Sequence, residues 1–457
     1  MRATSARLTV GSLRELSTVG VVACLASAYG TVLVDAASVL SVLGGEAGGS
    51  IGAALAVVAT VFIGIALFVS GIVISTGVDT VIAGRREQLR LLRLIGASAS
   101  QLRAGLARAV VTVAGIGALI GIVVATVVMA IIREVLLHRG TLPSADYPVL
   151  PFGVVVAGVA VVTIAAIAAR IGTRTTLTRA AVAQNTRSKV GVVRTLLACT
   201  VIVAGALLLA LAALLGEYGS LAGFFVAFLG AVTVSVGVLL GARRIVPQLV
   251  RWAGTAFGGS APSIVARKNA VSDPRRTTRS TIGLLVGVTL VTTIASGMSS
   301  LTRSIHSWDL PPADMAELER SFSIITAILL AMIAISAVIA AVGFVSTMSL
   351  TVIGRTREIG MLRAMGFTAQ QVRSMVVRES LALSGTAVIA GLVLGIVFGT
   401  VGSQSLIGSM TSGIPVSLPW GALVAIIGGT AVVVLAASLP PSRRAVAVAP
   451  VDALAVA

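Results

Sequence analysis

The chain is poor in charge, in cysteine, in histidine and in aromatic residues. Only 11% of its 457 residues are charged and 4% are aromatic. Ordinary soluble chains carry roughly 25% charged residues, so there is too little polar surface here for a water-soluble fold of this length. Disorder is excluded too, because disordered chains are poor in apolar residues and 57% of this one is hydrophobic. The two cysteines, Cys24 and Cys199, lie in separate apolar runs. They make neither a disulfide framework nor a zinc site, and they read as small packing residues. The two histidines, His138 and His306, fall in different connections and read as solvated loop residues. No Ser/His/Asp or Cys/His constellation follows from so few groups. Lysine is scarce as well: of 34 basic residues only Lys189 and Lys268 are lysines. A P-loop needs Gly-x4-Gly-Lys-Ser/Thr, and neither lysine sits in one. The chain is therefore not read as an enzyme, and it does not hydrolyse ATP by that route.

What the sequence has in abundance is apolar run. A helix needs roughly 20 apolar residues to cross a bilayer, and ten such runs lie near 18–40, 51–76, 107–132, 151–169, 195–216, 221–242, 281–300, 322–350, 380–403 and 420–439. They are continuous, not alternating, which demands helices and not barrel strands. The first run is too long for a cleaved signal peptide and carries Asp35 near its far end. The expected fold is an all-α polytopic membrane protein of about ten helices, arranged 4+2+4, with no large extracytoplasmic domain.

The net charge of +18 suggests nucleic acid until the charges are placed. Thirty of the 34 basic residues fall on one side of the ten spans; the other side holds Arg133, Arg139, Arg303 and Arg320. This is a positive-inside pattern, and it predicts that both termini are cytoplasmic. The excess is topology, and no nucleic-acid partner is expected. Near the other face, residues 301–320 carry Trp308, Asp309, Pro311 and Pro312, an interfacial anchor or a substrate contact.

The chain also repeats itself. Residues 84–103 read GRREQLRLLRLIGASASQLR and residues 354–373 read GRTREIGMLRAMGFTAQQVR, an ungapped offset of 270. Gly115 with Gly385 and Gly121 with Gly391 continue the register. Each repeat holds about four spans, with an even number between the copies, so the repeats are parallel. The expected units are 1–194 and 261–457, joined by a two-helix linker at 195–260. Gly117 and Gly121, and Gly391, Gly395 and Gly399, give the third span of each unit a small face for close helix packing.

The repeated segment reads as helix, break, helix. Arg86, Arg90 and Arg93 share one helical face. Gly96 and Gly366 stand where a left-handed helix stop is needed. Ser98 with Gln101, and Thr368 with Gln371, are capping-box pairs. Geometry alone leaves two roles open: docking into grooves on a soluble partner, or lying on anionic lipid. Duplication at one offset favours a two-fold partner.

The segment RTREIGMLRAMGFTAQQVR, followed by Glu379, resembles the signature of the FtsX-like permease family of ABC transporters. So do the tail residues Pro450, Asp452, Ala453 and Leu454, and the stretch 267–279. The first copy is less similar, with Gln88 where the second has Glu358 and Arg90 where it has Gly360. The resemblance implies a permease subunit in the bacterial plasma membrane, coupled to a separate cytoplasmic ABC ATPase dimer. That ATPase would bind ATP and Mg, leaving no cofactor to this chain. It also implies coupling helices carrying Arg85, Gln88, Leu92, Arg93 and Gly96 in one unit. Arg355, Arg357, Glu358, Leu362, Arg363 and Gly366 form the other. Export of an amphiphilic or hydrophobic substrate (lipid, peptide or antibiotic) is the implied activity. The alternative is a mechanotransmitting regulator of a cell-envelope enzyme or sensor kinase. Membrane lipids are expected partners, and a homo-oligomer is not required, since one chain already holds two units.

Overall fold

Within hydrocarbon a backbone must satisfy its own N–H and C=O groups, so the apolar runs fold as helices. The computed structural model describes residues 13–84, 91, 92, 96, 98–138, 147, 148, 150–179, 189–254, 264, 265, 268, 274–305, 356–410 and 418–447. All regular structure among them is helical. The helices are α1 (Leu13–Ala47), α2 (Gly49–Gly84), α3 (Ala99–His138), α4 (Phe152–Arg179), α5 (Lys189–Glu217), α6 (Ala222–Gly254), α7 (Pro274–Ile305), α8 (Thr356–Ala364), α9 (Ala369–Ile407) and α10 (Trp420–Ala447). Eight of them, α1 to α7 and α9, are long and apolar enough to cross a membrane. α10 carries a further apolar stretch, with Trp420–Val432 among the described residues. The expected span at 322–350 lies outside the described residues.

Most helices outrun the apolar runs that announce them. α3 was expected at 107–132 and α6 at 221–242; they extend to Ala99–His138 and Ala222–Gly254. The apolar run marks only the part immersed in hydrocarbon, while backbone hydrogen bonding continues into the interface. The connection expected at 41–50 is no loop at all. Only Gly48 separates α1 from α2, and Gly48 and Gly49 take φ of 61° and 53°, left-handed values that glycine adopts at little cost.

In the first unit α1 is central, packing on α2, α3 and α4. Two hydroxyls tie it to its neighbours: Ser27 Oγ donates to the Ala118 carbonyl at 3.0 Å and Ser70 Oγ to the Ala26 carbonyl at 2.8 Å. In the second unit α9 packs on α7 and α10. α5 and α6 form a tight hairpin, closed by the same device as many helix ends. Gly219 has φ 72°, its N–H donates to the Gly216 carbonyl, and the Ser220 N–H donates to the Leu215 carbonyl, both at 3.0 Å.

Burial follows the solvent. Ile116, Leu119, Ile120, Val123, Val124, Val127 and Ile131 of α3 are all exposed, an outer face that suits lipid and would be an aggregation surface in water. The cores are small and local, as in Val19, Val22, Val78, Leu102, Leu106 and Val110.

Candidate functional site

The second elbow is described in full backbone detail. α8 begins with Glu358 in its first turn and ends with Arg363 in its last, both favourable to the helix dipole. It stops in two bonds: the Gly366 N–H donates to the Arg363 carbonyl and the Phe367 N–H to the Leu362 carbonyl, each at 3.0 Å. This Schellman pattern requires a left-handed residue, and Gly366 has φ 99°. Leu362 and Phe367 then pack with Ile359 on Val372, Met375 and Val376 of α9, and Val265 joins the same cluster. Thr368 caps α9 directly afterwards. The Gln371 N–H donates to Thr368 Oγ1 at 3.2 Å, and the Thr368 N–H donates to Gln371 Oε1 at 2.9 Å. A helix, a one-residue stop and a reciprocal cap leave little freedom in the angle between α8 and α9.

The first elbow repeats the glycine conformation and the cap 270 positions earlier. Gly96 has φ 98°. The Gln101 N–H donates to Ser98 Oγ at 3.2 Å, and the Ser98 N–H to Gln101 Oε1 at 3.4 Å. Leu92 packs inward on the cluster of Leu102 and Leu106, as Leu362 does on α9.

Of the residues expected to meet a partner, Leu92, Gly96, Glu358, Leu362, Arg363 and Gly366 are described. Arg85, Gln88, Arg93 and Arg355 lie outside the described residues, and only the backbone of Arg357 is described, within α8. Leu92 and Leu362 face their own third span. The exposed apolar side chains are others: Leu91 at 53%, Met361 at 51% and Met365 at 67%. Leu91 and Met361 occupy the same repeat position. Spacing pairs Ile359 with Leu362, three apart, and Met361 with Met365, four apart, but does not say which pair turns inward; the structure buries the first.

The third spans approach the first spans closely, and in parallel. A Cβ on Gly117 would meet the backbone of Gly20, and one on Gly121 the backbone of Cys24. In the second unit a Cβ on Gly391 would lie 2.8 Å from Val288, one on Gly395 2.8 Å from the Thr289 carbonyl, and one on Gly399 2.8 Å from the Gly297 nitrogen. Gly115 and Gly385 match in sequence but have nothing within 4 Å among the described residues. The glycines shared by the repeats are thus of two kinds.

Sequence reasoning missed one feature. Asp35 was placed near a span end and Arg133 in a connection. The longer helices take in both: Asp35 is buried within α1, and Arg133 lies in α3. Arg133 Nη1 donates to the Tyr147 and Pro148 carbonyls at 3.4 and 3.5 Å. The signal was the run of helix-compatible residues beyond 132. Glu379, likewise expected at a span boundary, is buried inside α9. The cysteines are not buried packing residues: Cys24 is half-buried and Cys199 exposed. His138 lies 3.3 Å from Glu134 on the same helix, and His306 is outside the described residues. Among the described residues no cluster of metal-ligating side chains occurs.

Eight membrane-length helices, with one elbow geometry occurring twice, define a polytopic helical permease built on a parallel repeat. The chain belongs to the FtsX-like permease family of ABC transporters: the family model, FtsX-like permease C-terminal, matches residues 60–176 and again 330–450, together more than half of the chain. The chain is also similar to the macrolide export ATP-binding/permease protein MacB of Nitrobacter winogradskyi, 35% identical over 129 residues. That match covers 28% of this chain and 19% of the relative.

Proposed function

We propose that the chain is the permease subunit of an ATP-driven exporter, worked by a separate cytoplasmic ATPase dimer. The observation that carries this is the duplicated elbow. Two stops at φ 98° and 99°, each followed by a reciprocal cap, present two matched rigid ends to one side of the bundle. A lipid anchor needs no such matched shape; a two-fold partner does. Leu91, Met361 and Met365 supply the exposed apolar anchors that a groove would take up. The arginines around them would fix register.

In this reading both termini and both elbows are cytoplasmic, and the membrane is the bacterial plasma membrane. ATP and Mg bind to the partner. Closure of the ATPase dimer pulls the elbows, and the rigid caps transmit that pull into α3 and α9. Close glycine contacts pass it on to α1 and α7, because tightly packed helices move together. Export of an amphiphilic or hydrophobic substrate is supported by the name of the similar protein, a macrolide exporter.

The test is flux. The chain and its ATPase, reconstituted in vesicles, should move a candidate amphiphile only when ATP is hydrolysed. ATP turnover that moves none of a panel of lipids, peptides and macrolides would favour a force-transmitting regulator instead.

A further inference from the structure

The two units are matched in sequence but not in surroundings. The hairpin α5–α6 packs on α9 through both of its helices, and α6 also packs on α7. Leu209 of α5 and Val234 of α6 share a cluster with Phe398 of α9. At the hairpin tip, Gly408 and Gly216 are so close that a Cβ on Gly408 would lie 2.9 Å from the Gly216 carbonyl carbon. Thr278 Oγ1 of α7 donates to the Ala242 carbonyl of α6 at 3.4 Å. The hairpin is thus fastened to the second unit along most of its length.

Its contact with the first unit is of another kind. There α6 meets α2, with the Phe228 ring seated on Gly64: a Cβ on Gly64 would lie 2.6 Å from the ring's Cζ. Beside it α2 meets α7. Val286, Leu290 and Ile294, at i, i+4 and i+8 on α7, pack on the first unit's core around Phe62, Ala66 and Val69. An apolar ring on a glycine is a contact of shape, and can act as a bearing surface.

We propose that the α5–α6 hairpin is a fixed part of the second unit and seals one edge of the seam between the units, the α2/α7 edge, against lipid. Relative motion of the units leaves this edge shut, with Phe228 turning on Gly64. An amphiphilic substrate therefore exchanges with the membrane elsewhere on the seam, and the pseudo-two-fold transporter has a sided doorway. The doorway rests on the export reading; the sealed edge does not.

Cross-linking tests it. Cys24→Ala with Cys199→Ala removes both native thiols. Gly64→Cys with Phe228→Cys then places a pair across the seam, and Gly402→Cys with Phe224→Cys places one between α6 and α9, where a Cβ on Gly402 would lie 3.7 Å from the Phe224 ring; a short bis-maleimide bridges each pair, because cysteine does not reach as far as the ring it replaces. In the complex with its ATPase, both pairs should cross-link with yields that nucleotide changes less than twofold. The complex locked at 64/228 should keep at least half its ATP turnover. A yield at 64/228 that changes severalfold with nucleotide, or turnover abolished by that lock alone, would overturn the proposal. Should the double variant fail to insert, Phe228→Cys alone reports the same point. It should stay unlabelled by a water-soluble maleimide in every nucleotide state, and labelling that rises on ATP binding would contradict a sealed edge. Absence of flux with unchanged cross-linking would sink only the export reading.

Discussion

Gly96 and Gly366, 270 residues apart, take the same left-handed backbone at φ 98° and 99°. Among the described residues neither has an atom within 4 Å of where a Cβ would stand, so nothing described there selects glycine by space. The backbone conformation does. A left-handed non-glycine residue costs roughly 1–2 kcal/mol, less for asparagine. Gly366→Ala and Gly96→Ala should each lower the thermal stability of the elbow and loosen coupling, and Gly366→Asn should be milder. Measured ATP turnover stimulated by the permease should fall in the order wild type, Asn, Ala. Equal loss for Asn and Ala would point to a steric role instead.

The reciprocal caps make a separate prediction. Thr368→Ala or Ser98→Ala removes one accepting hydroxyl and should cost about 1 kcal/mol locally. Hydrogen exchange should accelerate in the first turn of α9 or α3 respectively, with the far ends of those helices unchanged.

The glycines of the third spans divide into two groups, and substitution should separate them. Gly121→Leu or Gly395→Leu forces α3 off α1 or α9 off α7, because the nearest atoms are backbone or a Thr Cβ. Both should fail to give a stable, monodisperse protein in detergent. Gly115→Ala and Gly385→Ala meet nothing within 4 Å among the described residues and should be neutral, or stabilising by up to about 1 kcal/mol from helix propensity. The melting temperatures of the four variants decide the matter.

The combination of Asp35 and Arg133 is confined to the first unit; by the repeat offset Arg133 corresponds to Ser403. If the half-buried Arg133 compensates the buried Asp35 carboxyl, removing Arg133 alone strands it, whereas removing both does not. Arg133→Met alone should destabilise the purified protein more than Asp35→Asn with Arg133→Met together. Additive losses in this double-mutant cycle would mean the two groups do not interact.

Much of this was legible from sequence for definite physical reasons. Hydrocarbon forces helices on apolar runs, so α1 to α7 and α9 were visible at once. Gly96, Gly366 and the Ser98 and Thr368 caps were visible because helix ends leave orphan groups that few side chains can satisfy. Helix length was not, since hydropathy measures immersion and not hydrogen bonding. That error placed Asp35 near a boundary and Arg133 in a loop, though both lie within helices. It also turned the Gly48 corner into a ten-residue connection. Nor did sequence show that Leu92 and Leu362 turn inward while Leu91 and Met361 face out, since the phase of a short helix is set by the span it rests on. The one-sided seating of α5–α6 left no trace in composition at all.

The central claim is that the two elbows receive the work of a separate ATPase. The most direct measurement is ATP turnover of the purified complex carrying Arg363→Glu together with Arg93→Glu, compared with wild type at equal membrane insertion. The account predicts loss of the ATPase on purification, or turnover no longer affected by the permease, with insertion and helix content unchanged. A complex that keeps its ATPase and its normal turnover would show that the elbows are membrane anchors, and would contradict the account.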